Sequence, residues 1–214
     1  MTKLEEYFSH YYIFPFLEQV PSGGQVYEFG TYGGLSLLCL LKELIRLQLK
    51  VDNVYCFDSF IGLPQEIPDI PKHNEWFEGN FNALELYDVK TPEEVIILIK
   101  ERIKEFDYNV NFIPGWFKDT LNLETIQKYS MQPASYVNID VDLYSSTLEV
   151  LEFLFYYKLI QVGTIIRYDD WLSQQYSNGD LGESKAHYEL TSKYNIKMHR
   201  YQPHKKMSPI FMVE

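Results

Sequence analysis

The chain has few cysteines, no excess of positive charge and no apolar run long enough to cross a bilayer. Its two cysteines, Cys39 and Cys56, lie inside apolar stretches (LSLLCLL and VYCFD). Buried free thiols are therefore expected, and neither a disulfide scaffold nor a zinc site. Lys and Arg number 19 against 30 Asp and Glu, a formal charge of −11. A nucleic-acid or anionic-membrane partner needs basic patches, so neither is expected. No segment approaches bilayer length. The opening MTKLEEYFSHYYIFPFLEQV has no uninterrupted apolar core and no small-residue cleavage site, so it does not read as a secretory signal. The cytoplasm is the expected location. Repeats, low-complexity tracts and Pro/Gly-rich linkers are also missing, which leaves residues 1–214 as one expected domain. A hydrophobic content of 46% with 16% aromatics is enough for a substantial core.

What the chain does contain is an alternation of strand and helix patterns. Residues 2–19 read as an amphipathic helical extension ahead of a PSGG turn. QVYEFG is a strand, LSLLCLLKELIRLQ a helix, and VDNVYCFDSF a second strand with its turn. Residues 61–90 are rich in Pro, Asn and aromatics without sustained periodicity, which suggests a functional loop or lid. Thr91, Pro92 and Glu94 then form a capping box that opens the helix PEEVIILIKERIKEF. NVNFIPG, ASYVNID and VGTIIRYDD are further strands, separated by the helices FKDTLNLETIQKY and SSTLEVLEFLFYYKLI, the latter starting at a Ser/Thr cap. SKAHYELTSKY is helical, and NIKMHRYQ and SPIFMVE close the chain as two strands. The pattern predicts an α/β fold: a doubly wound, mostly parallel sheet with an antiparallel C-terminal edge hairpin.

Two acidic clusters follow buried-strand patterns: Asp140 and Asp142 in VNIDVDLY, and Asp169 and Asp170 in GTIIRYDDW. Ligands of open α/β sheets bind at the carboxyl ends of strands, so the clusters should converge on one crevice. Carboxylates gathered that closely repel one another unless a cation sits between them. Hard oxygen donors without His or Cys favour Mg²⁺ over zinc. Asp142 has two readings, proton acceptor or cap of the following helix. Asp169 and Asp170 could alternatively form an ordinary turn. The first strand runs through Glu28 into Gly30, Gly33 and Gly34, a turn that admits a ligand to the main chain or merely packs tightly. Asp58 ends the second strand where an acid accepts ribose hydroxyls, unless it is only a turn former. With no G-x-G-x-x-G, this suits an adenosine ligand lacking a pyrophosphate, such as S-adenosylmethionine. Glu28 could receive a ligand ammonium or hold the loop.

EFGTYGGLS, FDSFIGLP, GWFKDTL, IDVDLYSST and YDDW, in that order, resemble the macrocin O-methyltransferase family. The resemblance spans residues 28 to about 171 and implies a Rossmann-like class I methyltransferase that uses S-adenosylmethionine and Mg²⁺ to methylate a sugar hydroxyl. By position it assigns the metal to Asp140, Asp169 and Asp170 and the general base to Asp142. It assigns cofactor contacts to Glu28, Gly30, Thr31, Tyr32, Ser36, Asp58, Ser59, Phe60 and Asp140. The N-terminal segment and residues 65–90, which shape the acceptor pocket in the family, match poorly.

Methyl transfer from a sulfonium to a hydroxyl is an in-line displacement. An alcohol is too weak an acid for a bare carboxylate, whereas coordination to Mg²⁺ stabilises the developing alkoxide, and two adjacent hydroxyls can chelate it. The acceptor is thus expected to be a small-molecule or glycan hydroxyl, a vicinal diol in particular. His73, Glu75, Trp76 and Phe81 could stack on a sugar as part of a lid, or Trp76 and the Phe residues could plug the loop onto the core. Trp116 and Trp171 are expected to flank the crevice mainly as packing, and His187 to be a surface or core residue. The aromatic N-terminal helix could cover a neighbouring copy in a homo-oligomer or lie over its own pocket. Two competing classes are a nicotinamide oxidoreductase, opposed by the missing dinucleotide fingerprint, and a non-catalytic binding protein, opposed by the four aspartates.

Overall fold

The computed structural model describes residues 23–171, 181–201 and 208–214. The expected N-terminal helical extension lies outside the described residues. Among the described residues, seven strands form one sheet: β1 (Gln25–Phe29), β2 (Asn53–Asp58), β3 (Val110–Pro114), β4 (Ala134–Ile139), β5 (Ile165–Tyr168), β6 (Met198–Arg200) and β7 (Ile210–Val213). Their order is β3-β2-β1-β4-β5-β7-β6. The first five are parallel, and β7 pairs antiparallel with both β5 and β6. The expected mixed sheet is thus present, with β7 folding back between β5 and the edge strand β6. Strand order reverses between β1 and β4, which opens a crevice at their carboxyl ends.

The helices are α1 (Leu35–Arg46), α2 (Ala83–Tyr87), α3 (Pro92–Ile103), α4 (Phe117–Thr120), α5 (Leu123–Tyr129), α6 (Tyr144–Tyr156) and α7 (Gly182–Tyr194). They cover both faces, which explains why β1 and β4 read as continuous buried runs. Alternate side chains serve separate cores. Tyr27, Phe29, Tyr55 and Phe57 pack with α6 and α7, whereas Val26, Val54 and Cys56 pack with α1 and α3. Both cysteines are buried and free. No helix among the described residues is long and apolar enough to cross a membrane.

Several local expectations need correction. The 61–90 segment is not wholly irregular: Asn82 caps α2 through Leu84 N–H (2.9 Å). The single helix expected over 117–129 breaks at Leu121, and Asn122 caps the second piece. Helix α6 starts at Tyr144 without a side-chain cap, because its N-cap residue is the apolar Leu143; Thr147 Oγ1 donates back to Leu143 O (2.8 Å). The Ser145 N–H instead donates to the Glu66 carboxylate (3.2 and 3.3 Å), 79 residues earlier in the chain. The capping box at Thr91 and Glu94 forms as expected.

Gly30 shows why the crevice opens where it does. Its φ is +85°, and a Cβ there would lie 1.7 Å from the Asp140 carbonyl oxygen. Only glycine lets the end of β1 pass the end of β4 this closely.

Candidate active site

The carboxyl ends of β1, β2, β4 and β5 enclose a crevice of about 1010 Å³. Asp140, Asp142, Asp169 and Asp170 all line it. Asp140, Asp169 and Asp170 each present an oxygen within 4.8 Å of the other two, the one such group of possible metal ligands among the described residues. Asp140 and Asp142 do not share a side through strand alternation, because β4 ends at Ile139. Asp142 instead has φ +60° and turns the chain toward α6, a conformation that Asp tolerates better than most residues. Its alternative role as the cap of α6 is not taken up.

The charges are poorly balanced. Burial raises Asp140, Asp142 and Asp170 well above the usual carboxylate range, and the neighbouring aspartates push them further. Arg167, fully enclosed on β5, forms an ion pair with Asp169 and donates to Asn138 Oδ1 (2.7 Å). A further buried acid, Glu183 of α7, accepts from Val141 N–H (3.4 Å) and Asp170 N–H (2.9 Å). Five carboxylates thus gather in one region, where the Arg167 guanidinium pairs with Asp169 and offsets the charge of Asp140 and Asp170. At an effective dielectric of about 20, two unit charges 4 Å apart repel by about 4 kcal/mol, so the cluster favours either protons or a cation. Neither Arg167 nor Glu183 stood out in the sequence. Arg167 reads as a strand residue, and Glu183 falls just ahead of the helix expected to begin at Ser184.

At the other end of the crevice, the Asp58 carboxylate accepts from Tyr32 N–H (2.7 Å) and Phe60 N–H (2.6 Å). Each oxygen keeps a second acceptor site, so the bonds order the turn without exhausting the carboxylate. Burial raises its pKa and these amides oppose the rise. Gly30, Thr31, Tyr32, Ser36 and Ser59 line the same end. Glu28 and Phe60 do not. Glu28 projects to the α1 side of the sheet and is fully buried, and Phe60 is enclosed in the core. The glycine turn is dictated largely by packing: Cβ atoms at Gly33 and Gly34 would lie 2.5 Å from Leu86 and 2.7 Å from Ile99.

The lid residues divide. Phe81 lines the crevice and meets Tyr32 edge-on at 6.0 Å. His73, Glu75 and Trp76 are absent from its wall. Trp76 is 5% exposed and packs beside Gly182, where an added Cβ would come within 3.5 Å of its ring. The packing alternative therefore holds for Trp76. His73 stacks obliquely on Trp76, and Glu75 faces solvent. Trp116 lines the crevice, while Trp171 and His187 are core residues packed on each other. Burial pushes His187 down to about 3, with Arg200 adding to the shift, as befits a neutral core imidazole.

The model of the macrocin O-methyltransferase family matches residues 16–195. The chain belongs to this family. It is 25% identical over 174 residues to demethyldecarbamoylnovobiocin O-methyltransferase of Streptomyces niveus, covering 78% of this chain and 60% of that one. It is 29% identical over 132 residues to 8-demethyl-8-(2,3-dimethoxy-alpha-L-rhamnosyl)-tetracenomycin-C 4'-O-methyltransferase of Streptomyces olivaceus, covering 60% of this chain and 46% of that one. The chain thus spans only about half to three-fifths of the length of these relatives. The crystal structure of the calicheamicin methyltransferase CalS11 superposes with a TM-score of 0.68 at 17% identity, covering 98% of this chain and 77% of that one. That likeness establishes a Rossmann-like methyltransferase fold.

Glu28 provides a test of the buried electrostatics. Burial pushes its carboxyl up to about 7 from 4.5, although Ser36, Thr31 and Cys56 lie near enough to oppose the rise. Neither oxygen has a hydrogen bond of good geometry among the described residues. The folded state binds the proton more tightly than the unfolded state, so stability falls as pH rises from about 4.5 to 7. Glu28→Gln should therefore raise the urea midpoint at pH 8 by the equivalent of up to roughly 3 kcal/mol, with the two proteins converging near pH 4. Equal midpoints at pH 8 would contradict the assignment.

Proposed function

We propose that the chain is an S-adenosylmethionine- and Mg²⁺-dependent O-methyltransferase acting on a sugar or glycoside hydroxyl, with a vicinal diol as acceptor, in the cytoplasm. One observation carries this reading: three carboxylates from two strand ends converge beside Asp142 in a crevice whose far end holds Asp58. An octahedral Mg²⁺ with Mg–O distances of about 2.1 Å keeps its ligand oxygens within about 4.2 Å of one another. Asp140, Asp169 and Asp170, with oxygens inside 4.8 Å, need only a small inward adjustment to fit. The all-oxygen donor set and the excess of negative charge favour the same ion. The relatives' names supply the acceptor class, since they specify O-methylation and one includes a rhamnosyl group.

S-adenosylmethionine supplies an electrophilic methyl group, and Mg²⁺ supplies the Lewis acidity that brings a hydroxyl proton within reach of a carboxylate. Asp140, Asp169 and Asp170 would hold the ion, with Arg167 fixing the orientation of Asp169. Asp142 takes the acceptor proton on its carboxylate. Its upward-shifted pKa makes it a better-matched proton acceptor than a free aspartate. Asp58 would accept hydrogen bonds from the ribose hydroxyls, and the backbone of the Gly30–Tyr32 turn would hold the remainder of the cofactor. Tyr32 and Phe81 shield the crevice mouth and exclude water. The 61–90 segment acts as a lid, clamped near its start by Glu66 on the first turn of α6.

Incubation with S-adenosylmethionine and a panel of glycosides and nucleotide-activated sugars, read by mass spectrometry, tests the proposal. Products one methyl heavier are expected with Mg²⁺ and none with EDTA, and full turnover in EDTA would remove the metal. Asp142→Asn should lower turnover at least about a hundredfold while S-adenosylhomocysteine affinity stays near wild type. Unchanged turnover would remove Asp142 as the base.

A further inference from the structure

Glu183 lies in the first turn of α7, where an acid ordinarily faces solvent and complements the helix dipole. Here it is fully buried. Its Oε1 accepts from Val141 N–H (3.4 Å) and its Oε2 from Asp170 N–H (2.9 Å). Val141 separates Asp140 from Asp142, and Asp170 belongs to the three-carboxylate group. One side chain thus holds the backbone of both acidic clusters.

The need for such a tie follows from the sheet. Strands β4 and β5 are in register as far as Ile139 and Tyr168, and the Asp169 N–H donates a last rung to Ile139 O (2.9 Å). Beyond that rung the two chains part toward α6 and α7, and their next amides need other acceptors. The Glu183 carboxylate supplies both. Gly182 delivers it by close approach, since a Cβ there would lie 3.2 Å from the Asp142 carbonyl oxygen and 3.5 Å from Trp76. Trp76, which plays no part in the crevice wall, is thereby explained as the surface against which α7 docks. Placing a fifth carboxylate beside four others is costly, and packing alone gives no reason to accept that cost.

We infer that Glu183 is a positioning residue: by bridging the Val141 and Asp170 amides it fixes the separation of Asp140 from Asp170 and so sets the affinity of the site for its divalent cation. The inference rests on the metal reading above. Two variants of the full chain test it. Glu183→Gln keeps the length but presents an NH₂ group to one of the two amides, and Glu183→Asp keeps the charge but is one methylene too short to span them.

Mn²⁺ binding, followed by the paramagnetic resonance signal of the free ion, should weaken at least about tenfold in both variants, the range for residues that orient metal ligands. Amide hydrogen exchange of the metal-free protein should quicken in peptides covering 140–143 and 168–171. Wild-type Mn²⁺ affinity in either folded variant overturns the inference and leaves the metal reading standing, even if the thermal midpoint falls. Weaker binding in Glu183→Gln alone, with unchanged exchange, would reveal a charge effect and also overturns it. A wild-type protein that binds no Mn²⁺ overturns both readings. If Glu183→Gln does not fold, Glu183→Asp carries the same test with the charge retained.

Discussion

Repulsion among carboxylates that the fold forces together is the constraint on which the rest of this structure depends. Asp140, Asp142, Asp169 and Asp170 are half-buried in the crevice wall and Glu183 is fully buried, and four of these five are shifted upward by burial and by one another. A chain selected only for stability would replace such a cluster with apolar side chains, because desolvating paired charges rarely repays its cost. Keeping it makes physical sense when a cation or a proton transfer belongs at that place. Arg167 offsets part of the charge from beneath and leaves the crevice side negative.

The surrounding architecture holds these groups in place. Gly30 allows β1 and β4 to cross closely enough that the acids of β4 and Asp58 of β2 open into one space. Asp58 ties the glycine turn to the end of β2, and Glu66 ties the long 61–90 segment to the first turn of α6. Each tie is a carboxylate accepting backbone N–H groups that neither the sheet nor a helix pairs. The same device therefore recurs at Asp58, Glu66 and Glu183, and it leaves the four aspartates on the crevice wall for other work.

The sheet was legible because its signals are local. Continuous apolar runs marked β1, β2, β4 and β5, and Thr91 with Glu94 marked a helix start that formed as expected. The aspartates were legible because each cluster directly follows such a run. Long-range partnerships were not. Nothing in SSTLEV signals that its cap is Glu66, 79 residues earlier, so a local Ser/Thr cap was the natural expectation. Glu183 falls just ahead of the helix expected from Ser184, and nothing local signals that it opens that helix fully buried. Trp76 and Phe81 are both aromatics in one loop, yet one docks a helix and the other faces the crevice, a choice set by tertiary packing. The alternation rule also failed between Asp140 and Asp142, because the left-handed turn at Asp142 ends the extended chain.

Anomalous diffraction from crystals grown with Mn²⁺ and S-adenosylhomocysteine measures the central claim directly. The account predicts one strong peak at about 2.1–2.3 Å from an oxygen of each of Asp140, Asp169 and Asp170, with Asp142 beside it and unligated. Crystals with the nucleoside bound but no peak between these three carboxylates, or with the ion held elsewhere, would contradict it.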